Sequence, residues 1–168
     1  MDAYEAVRTI LAVRTYQDRP VPADVVRRIV EAGWLSASAK NSQPWHFIVV
    51  EDRATLQQIG ALARSGPYIA QAALAIAVVI EDTPFAVSDA SRAIQSMMLA
   101  AWSEGVGSNW VGYLGPNEVK PLLGIPESLK LLAILPFGYP AQATGQGKKE
   151  RKPLGDVASR GQFGQPFE

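Results

Sequence analysis

Few side chains in this sequence can do chemistry unaided. There is no cysteine and only one histidine, His46. Thiolate nucleophiles, zinc ribbons, cysteine-ligated iron–sulfur clusters and mechanisms needing several imidazoles are therefore excluded. His46 stands between Trp45 and Phe47 with no serine or aspartate partner pattern around it, which favours a structural imidazole over a catalytic one. The chain is better supplied with cations and glycines. Lys148, Lys149, Arg151 and Lys152 put four of the sixteen basic residues into five positions. The default reading is a solvated patch; the sharper one is a phosphate clamp. Gly147-Lys148-Lys149 imitates the end of a phosphate-binding P-loop, but position 142 is Gln and position 149 is neither Ser nor Thr. Gly105-Val106-Gly107 is two-thirds of a dinucleotide fingerprint, yet it follows a helical pattern and lacks the third glycine, so a Rossmann site is rejected. The sixteen Lys+Arg are cancelled by sixteen Asp+Glu, and no aromatics interleave with the basic cluster. That balance argues against nucleic acid or an anionic membrane as partner, and no metal site is expected.

These residues must be positioned by one domain. The chain has 168 residues, 48% of them hydrophobic, and a chain of this size buries roughly 70% of the surface that its unfolded form exposes. Residues 2–12 are predicted as a helix, followed by extended Arg14-Thr15-Tyr16. Val25, Val26, Ile29, Val30 and Trp34 then recur at helical spacing after Pro22. A small polar segment, 36–44, leads into a strand at 45–51, and residues 53–64 fit a helix ended by Gly66-Pro67. The aliphatic run 72–80 is about half a membrane span and reads as a buried strand near 74–81. No signal-peptide pattern precedes it, so a cytoplasmic location is expected. A long helix is predicted over 87–104, with Ala90, Ala93, Ile94, Met97, Met98, Ala101 and Trp102 as its apolar stripe and Gly105 ending it. Strands are expected at 108–113 and 131–137, with a short helix opened by Pro116, and containing Pro121, between them. The four tryptophans, 34, 45, 102 and 110, are most simply core residues, although Trp110 beside Asn109 and Gly112 could wall a pocket. Strands interleave with helices, so the class is α/β or α+β. From Ala141 to Glu168 the large apolar side chains are only Leu154, Val157, Phe163 and Phe167. Such a segment is either a free tail or lies across another surface.

Several separated segments gain meaning together. Asn41-x-Gln43-Pro44-Trp45 precedes a Val/Ile-rich strand. Gly105-Val106-Gly107-Ser108-x-Trp110-Val111-Gly112 follows, then Phe137-Gly138-Tyr139-Pro140 with Lys149-x-Arg151-Lys152-Pro153-Leu154 beyond it. At the front stand Ala6-Val7-Arg8-Thr9, Val13-Arg14-Thr15-Tyr16 and Arg19-Pro20-Val21-Pro22, and Ile125-Pro126-Glu127 also matches. In this order and spacing the chain resembles the FMN-dependent nitroreductase family, at the short end of its length range.

The resemblance implies an α+β fold, layered α/β/α, with a mainly antiparallel central sheet. It implies a flavin-binding core over 1–140 and an extension of the same domain, 141–168, that wraps a partner subunit. The activity implied is FMN-dependent transfer of hydride from NAD(P)H, through flavin N5, to nitroaromatic, quinone or similar planar electrophiles. The working unit implied is a homodimer with the flavin at its interface. Such an enzyme needs few catalytic side chains, because the isoalloxazine carries the redox chemistry. Carried over by position, the Gly112 backbone N–H faces flavin N5, with Val111 and Tyr113 beside it, and Arg14 lies at the pyrimidine edge. Ser38, Asn41 and Gln43 line the ring, while Arg8, Arg14, Lys149 and Arg151 supply charge to the cofactor and its phosphate.

One departure matters. The family's usual Arg-Arg-Ser-like triplet is replaced here by Ile10, Leu11 and Ala12, and its Pro-Ser-Ser by Ala37-Ser38-Ala39. Loss of a charged hydrogen-bond partner costs about 1.5–3 kcal/mol, roughly 10- to 100-fold in affinity. The departure keeps a rival alive, a non-catalytic protein that binds flavin or another planar ligand. Flavin destruction and reductive dehalogenation, known in relatives of this fold, are further alternatives.

Overall fold

The computed structural model describes residues 1–112, 116–143 and 149–167. Among them the helices are α1 (Ala3–Thr9), α2 (Ala23–Trp34), α3 (Arg53–Leu62), α4 (Ala86–Ser103) and α5 (Pro116–Leu122). The strands are β1 (Trp45–Val50), β2 (Leu74–Ile80), β3 (Gly107–Ser108) and β4 (Lys130–Gly138), in the sheet order β1-β2-β4-β3 with every pairing antiparallel.

All seven residues of β2 are buried, as a central strand covered by helices on both faces must be. Its alternation sends Leu74, Ile76, Val78 and Ile80 to one face, where they meet Val25, Val26 and Ile29 of α2 and Ala90, Ile94, Met97 and Ala101 of α4. Ala75 and Ala77 go to the other face with Ile134, against Leu56 and Ile59 of α3, Ile69 of the 3-10 turn at Pro67–Gln71, and Val119 of α5. The fold is thus α+β in three layers, as the sequence implied. Asp52 caps α3, its carboxylate accepting from Thr55 N–H at 2.8 Å. Gly105 ends α4 at φ 76°, with its own N–H bonded to the Trp102 carbonyl.

The structure corrects four expectations. The first helix stops at Thr9, not residue 12, because the chain beyond it joins the sheet edge: Val13 N–H donates to the Ser108 carbonyl at 2.9 Å. The strand expected over 108–113 is only Gly107–Ser108, followed by a lone bridge from Val111 to Ile134. The register that pairs Ser108 with Phe137 sets Asn109 opposite Pro136, which has no N–H to donate, so the ladder breaks there. The stripe of α2 passes through Gly33, not Trp34. A Cβ at Gly33 would stand 2.9 Å from Met97 Cγ, so only glycine fits the contact with α4, and Trp34 is left 60% exposed. Nor are the other tryptophans core residues: Trp45 and Trp102 are half-buried, and Trp110 is exposed.

Candidate functional site

Two of the segments that carry sequence-predicted site residues are tied to opposite ends of α4. At its C-terminal end, Trp102 donates its indole N–H to Thr9 Oγ1 at 2.9 Å and so pins α1 in place. From there residues 10–16 run along the sheet edge. A parallel bridge joins Ala12 to Ser108, and by Thr15–Gln17 the chain has crossed to the end of β4, where Tyr16 bridges Pro140 and the Thr15 carbonyl accepts from Ala141 N–H. Gly107 permits the approach, since a Cβ there would lie 2.5 Å from Val13 Cγ2. The Tyr16 phenol holds the turn of this segment by donating to the Val13 carbonyl at 2.7 Å. Burial and the neighbouring Tyr68 push its pKa well above the ordinary value, so it remains a neutral donor. Behind Trp110, the buried Asn109 amide donates to the Tyr68 hydroxyl.

Val111 is committed to the core. Its N–H and carbonyl both pair with Ile134 at 3.0 Å, and its side chain is buried, so it fixes the next residue and offers no group of its own. That next residue, Gly112, is exposed. Among the described residues no hydrogen bond takes its N–H. Tyr113 lies outside the described residues.

Cations surround this corner. Lys149 reaches α1 and donates to the Val7 carbonyl at 2.6 Å. Burial, and next the Arg151 guanidinium, draw the Lys149 ammonium below its usual pKa, the condition of a cation that an anion would relieve. Arg151 is exposed and bonds the Glu150 carbonyl at 2.7 Å. Among the described residues no carboxylate pairs with Arg14, Lys149 or Arg151. Arg8 differs: it is bound by Glu5 through two hydrogen bonds, at 2.9 and 3.0 Å.

Ser38, Asn41 and Gln43 sit elsewhere, on the loop between α2 and β1. Gln43 N–H donates to Ser38 Oγ at 2.9 Å, and the Gln43 amide to the Asn41 carbonyl at 3.2 Å. Lys40, Asn41 and Gln43 all have positive φ, 53°, 56° and 49°. This conformation costs on the order of 1 kcal/mol or more per non-glycine residue and persists where neighbours enforce it. The Ala39 N–H is held by Asp89 Oδ2 at 3.0 Å, which ties the loop to the first turn of α4. Trp102 lies thirteen helical steps beyond Asp89, a span of about 20 Å at 1.5 Å per residue. Lys149 thus lies against α1, which Trp102 pins at the C-terminal end of α4, while the loop carrying Ser38, Asn41 and Gln43 is tied to the opposite end of that helix.

Sequence reasoning missed Asp89. An acidic residue in a first helical turn is unremarkable by type, but its i+4 and i+8 neighbours Ala93 and Met97 lie in the apolar stripe, and that placement was the available signal. His46 is exposed on the edge strand β1, on the rim of a cavity of about 400 Å³ lined by Ile48, Leu123, Ile125 and Leu129. It belongs to neither group.

Comparisons with known proteins place the chain in a family. The model of the Nitroreductase family matches residues 8–83 and 69–139. The chain belongs to the nitroreductase family. It is accordingly an oxidoreductase, and its α+β architecture is the family's. A Methanothermobacter thermautotrophicus protein named "Putative NADH dehydrogenase/NAD(P)H nitroreductase" is 37% identical over 154 residues, covering 86% of this chain and 81% of its own. A crystal structure of a protein of the same name from Bacteroides thetaiotaomicron superposes with a TM-score of 0.88 at 30% identity, over 96% of this chain and 98% of that one. A Bacillus subtilis protein named FMN reductase (NAD(P)H) is 28% identical over 84% of this chain and 66% of its own. No helix among the described residues is long and apolar enough to cross a membrane.

Proposed function

We propose that this nitroreductase-family chain is an FMN-dependent, NAD(P)H-oxidising reductase of planar electrophiles such as nitroaromatics and quinones, and that it works as a homodimer. The observation that carries the reading is the corner at the C-terminal end of α4. There Lys149 reaches α1, and among the described residues no partner takes the exposed Gly112 N–H and no carboxylate pairs with Arg14, Lys149 or Arg151. This donor set fits a flat heterocycle carrying a phosphate, because it offers one backbone donor for a ring acceptor and spatially separate positive charge. Bound FMN supplies two-electron transfer between a nicotinamide and an acceptor that stack on it in turn.

The chain's own residues bind and bias. The Gly112 N–H is the donor for the ring's N5 acceptor, held in place because Val111 is locked to Ile134. Arg14 sets positive charge at the pyrimidine edge, where reduction places negative charge, so its attraction grows along the reaction. Lys149 and Arg151 hold the phosphate in place of the missing arginine and hydroxyl at Ile10, Leu11 and Ala12. Trp110 walls the slot in which the planar reductant and acceptor are held. Arg8, already satisfied by Glu5, is a lesser contributor.

The dimer reading is supported by the loop's tie to the opposite end of α4 from α1. A two-fold related copy with its α4 antiparallel delivers Ser38, Asn41 and Gln43 to the ring held by the first copy's Arg14 and Gly112. Residues 1–140 form the core, and 141–168 extend onto the partner. In the single chain Leu154, Val157, Phe163 and Phe167 are exposed, and the partner's surface covers them in the assembly. The test is an absorbance spectrum of the protein as purified and after addition of FMN. A flavin spectrum, bleached anaerobically by NADH or NADPH and restored by a quinone, is expected. Protein that stays colourless with added FMN overturns the reading, and flavin uptake without bleaching leaves a binding protein.

A further inference from the structure

The loop that carries Ser38, Asn41 and Gln43 is conformationally improbable, and one buried carboxylate faces it. Asp89 has no exposed surface. One of its oxygens accepts from the Ala39 backbone N–H at 3.0 Å, and the other is engaged by Arg92. Two turns further along α4, Ser96 Oγ meets Ser36 Oγ at 2.8 Å. Positions 89, 92 and 96 share one face of the helix, so α4 presents a short polar stripe along which the whole loop is laid. On its far side the loop is fixed again, where the Pro44 carbonyl accepts from Glu81 N–H at 3.1 Å. Between these anchors lie all three described non-glycine residues with positive φ, Lys40, Asn41 and Gln43. The Ser36 and Pro44 contacts fix where the loop enters and leaves. Among the described residues Asp89 alone grips it by a hydrogen bond at the 3-10 turn that begins the left-handed run.

We propose that Asp89 is a positioning residue. Through the Ala39 N–H it enforces the left-handed turn that presents Ser38, Asn41 and Gln43, and so sets cofactor affinity without touching the cofactor. What the site needs from it is a hydrogen-bond acceptor in a fixed place. Charge is secondary, since among the described residues the exposed Arg92 that balances it makes no hydrogen bond to the loop backbone. This role rests on the flavin reading above for its consequence, but not for its geometry.

The experiment compares wild type with Asp89→Ala, Asp89→Asn and Ala39→Pro. The last deletes the same donor from the loop side and leaves α4 intact, so the contact stays testable if Asp89→Ala does not fold. Two quantities are measured on each full-length protein. One is the rate of tryptic cleavage after the exposed Lys40 without flavin, normalised to cleavage elsewhere. The other is the FMN dissociation constant from fluorescence quenching. Asp89→Ala and Ala39→Pro are expected to cleave at least ten-fold faster at Lys40 and to bind FMN at least ten-fold more weakly. Asp89→Asn, which keeps an oxygen acceptor, is expected to stay within about three-fold of wild type in both. Unchanged cleavage in Asp89→Ala and Ala39→Pro overturns the tether. Faster cleavage with unchanged FMN affinity overturns the positioning role, as does Asp89→Asn behaving like Asp89→Ala. Wild type that binds no FMN overturns the flavin reading and is distinguished by the cleavage contrast, which is read without cofactor.

Discussion

Two arginines six positions apart show how little residue type says without its neighbours. Arg8 spends its guanidinium on Glu5, at 2.9 and 3.0 Å. Arg14, on the extended segment between α1 and α2, has no carboxylate partner among the described residues. A contact to a charged group is worth about 1.5–3 kcal/mol, or roughly 10- to 100-fold. Arg14→Ala is therefore expected to lower kcat/KM for NAD(P)H oxidation by at least ten-fold, while Arg8→Ala stays within about three-fold. Steady-state kinetics at saturating FMN decide it, and equal losses in the two variants would contradict the assignment. At this scale the sequence was partly legible. The types and order of Arg14, Gly112, Lys149 and Arg151 nominated them as candidates, but Arg8 could not be told apart from them, because its commitment to Glu5 depends on an i,i+3 geometry that many exposed arginines share. Val111 matched the pattern as well as Gly112, yet its pairing to Ile134 makes it a support.

Among the elements, the segment 10–16 and β3 are the pair on which the site's geometry turns. They approach so closely that only glycine fits at 107, where a Cβ would lie 2.5 Å from Val13 Cγ2. Overpacking of this kind costs about 1–3 kcal/mol, which for a chain of this size is a fall in Tm of roughly 2–10 °C. Gly107→Ala is expected to show that fall in calorimetry along with reduced activity, because the displaced strand carries Arg14. Val13→Ala in the same chain should restore most of both, and failure of that rescue would place the strain elsewhere. Periodic elements such as α2 and α4 were readable in outline, since a buried face repeats every three to four residues. Three features were not: the early end of α1, the truncation of β3 opposite Pro136, and the passage of the α2 stripe through Gly33 instead of Trp34. Each depends on a partner that stands far away in the sequence, and local spacing carries no trace of it.

In the whole molecule, the placing of α1 and of the 38–43 loop at opposite ends of α4 dominates. Sequence order nominated candidates for the site but gave no distances, so a single pocket and a divided one read alike. The exposed apolar side chains mark surface that a second copy would cover: Tyr4 and Val7 on α1, Phe85 and Val87 around the start of α4, and Leu154, Val157, Phe163 and Phe167 in the tail. Removal of residues 155–168 is expected to shift the protein toward monomer in analytical ultracentrifugation and to lower its flavin content together. A truncated protein that remains dimeric with full flavin occupancy would show that the tail lies idle.

The length of α4 also has a genetic consequence. If each site draws one wall from each chain, a lesion in Arg14 and a lesion in Asn41 disable both sites of their own homodimers. Co-expressed, the two lesions fall into the same site of the mixed dimer and leave the other site whole. Random pairing makes half the dimers mixed, so about a quarter of full activity returns from two dead parents.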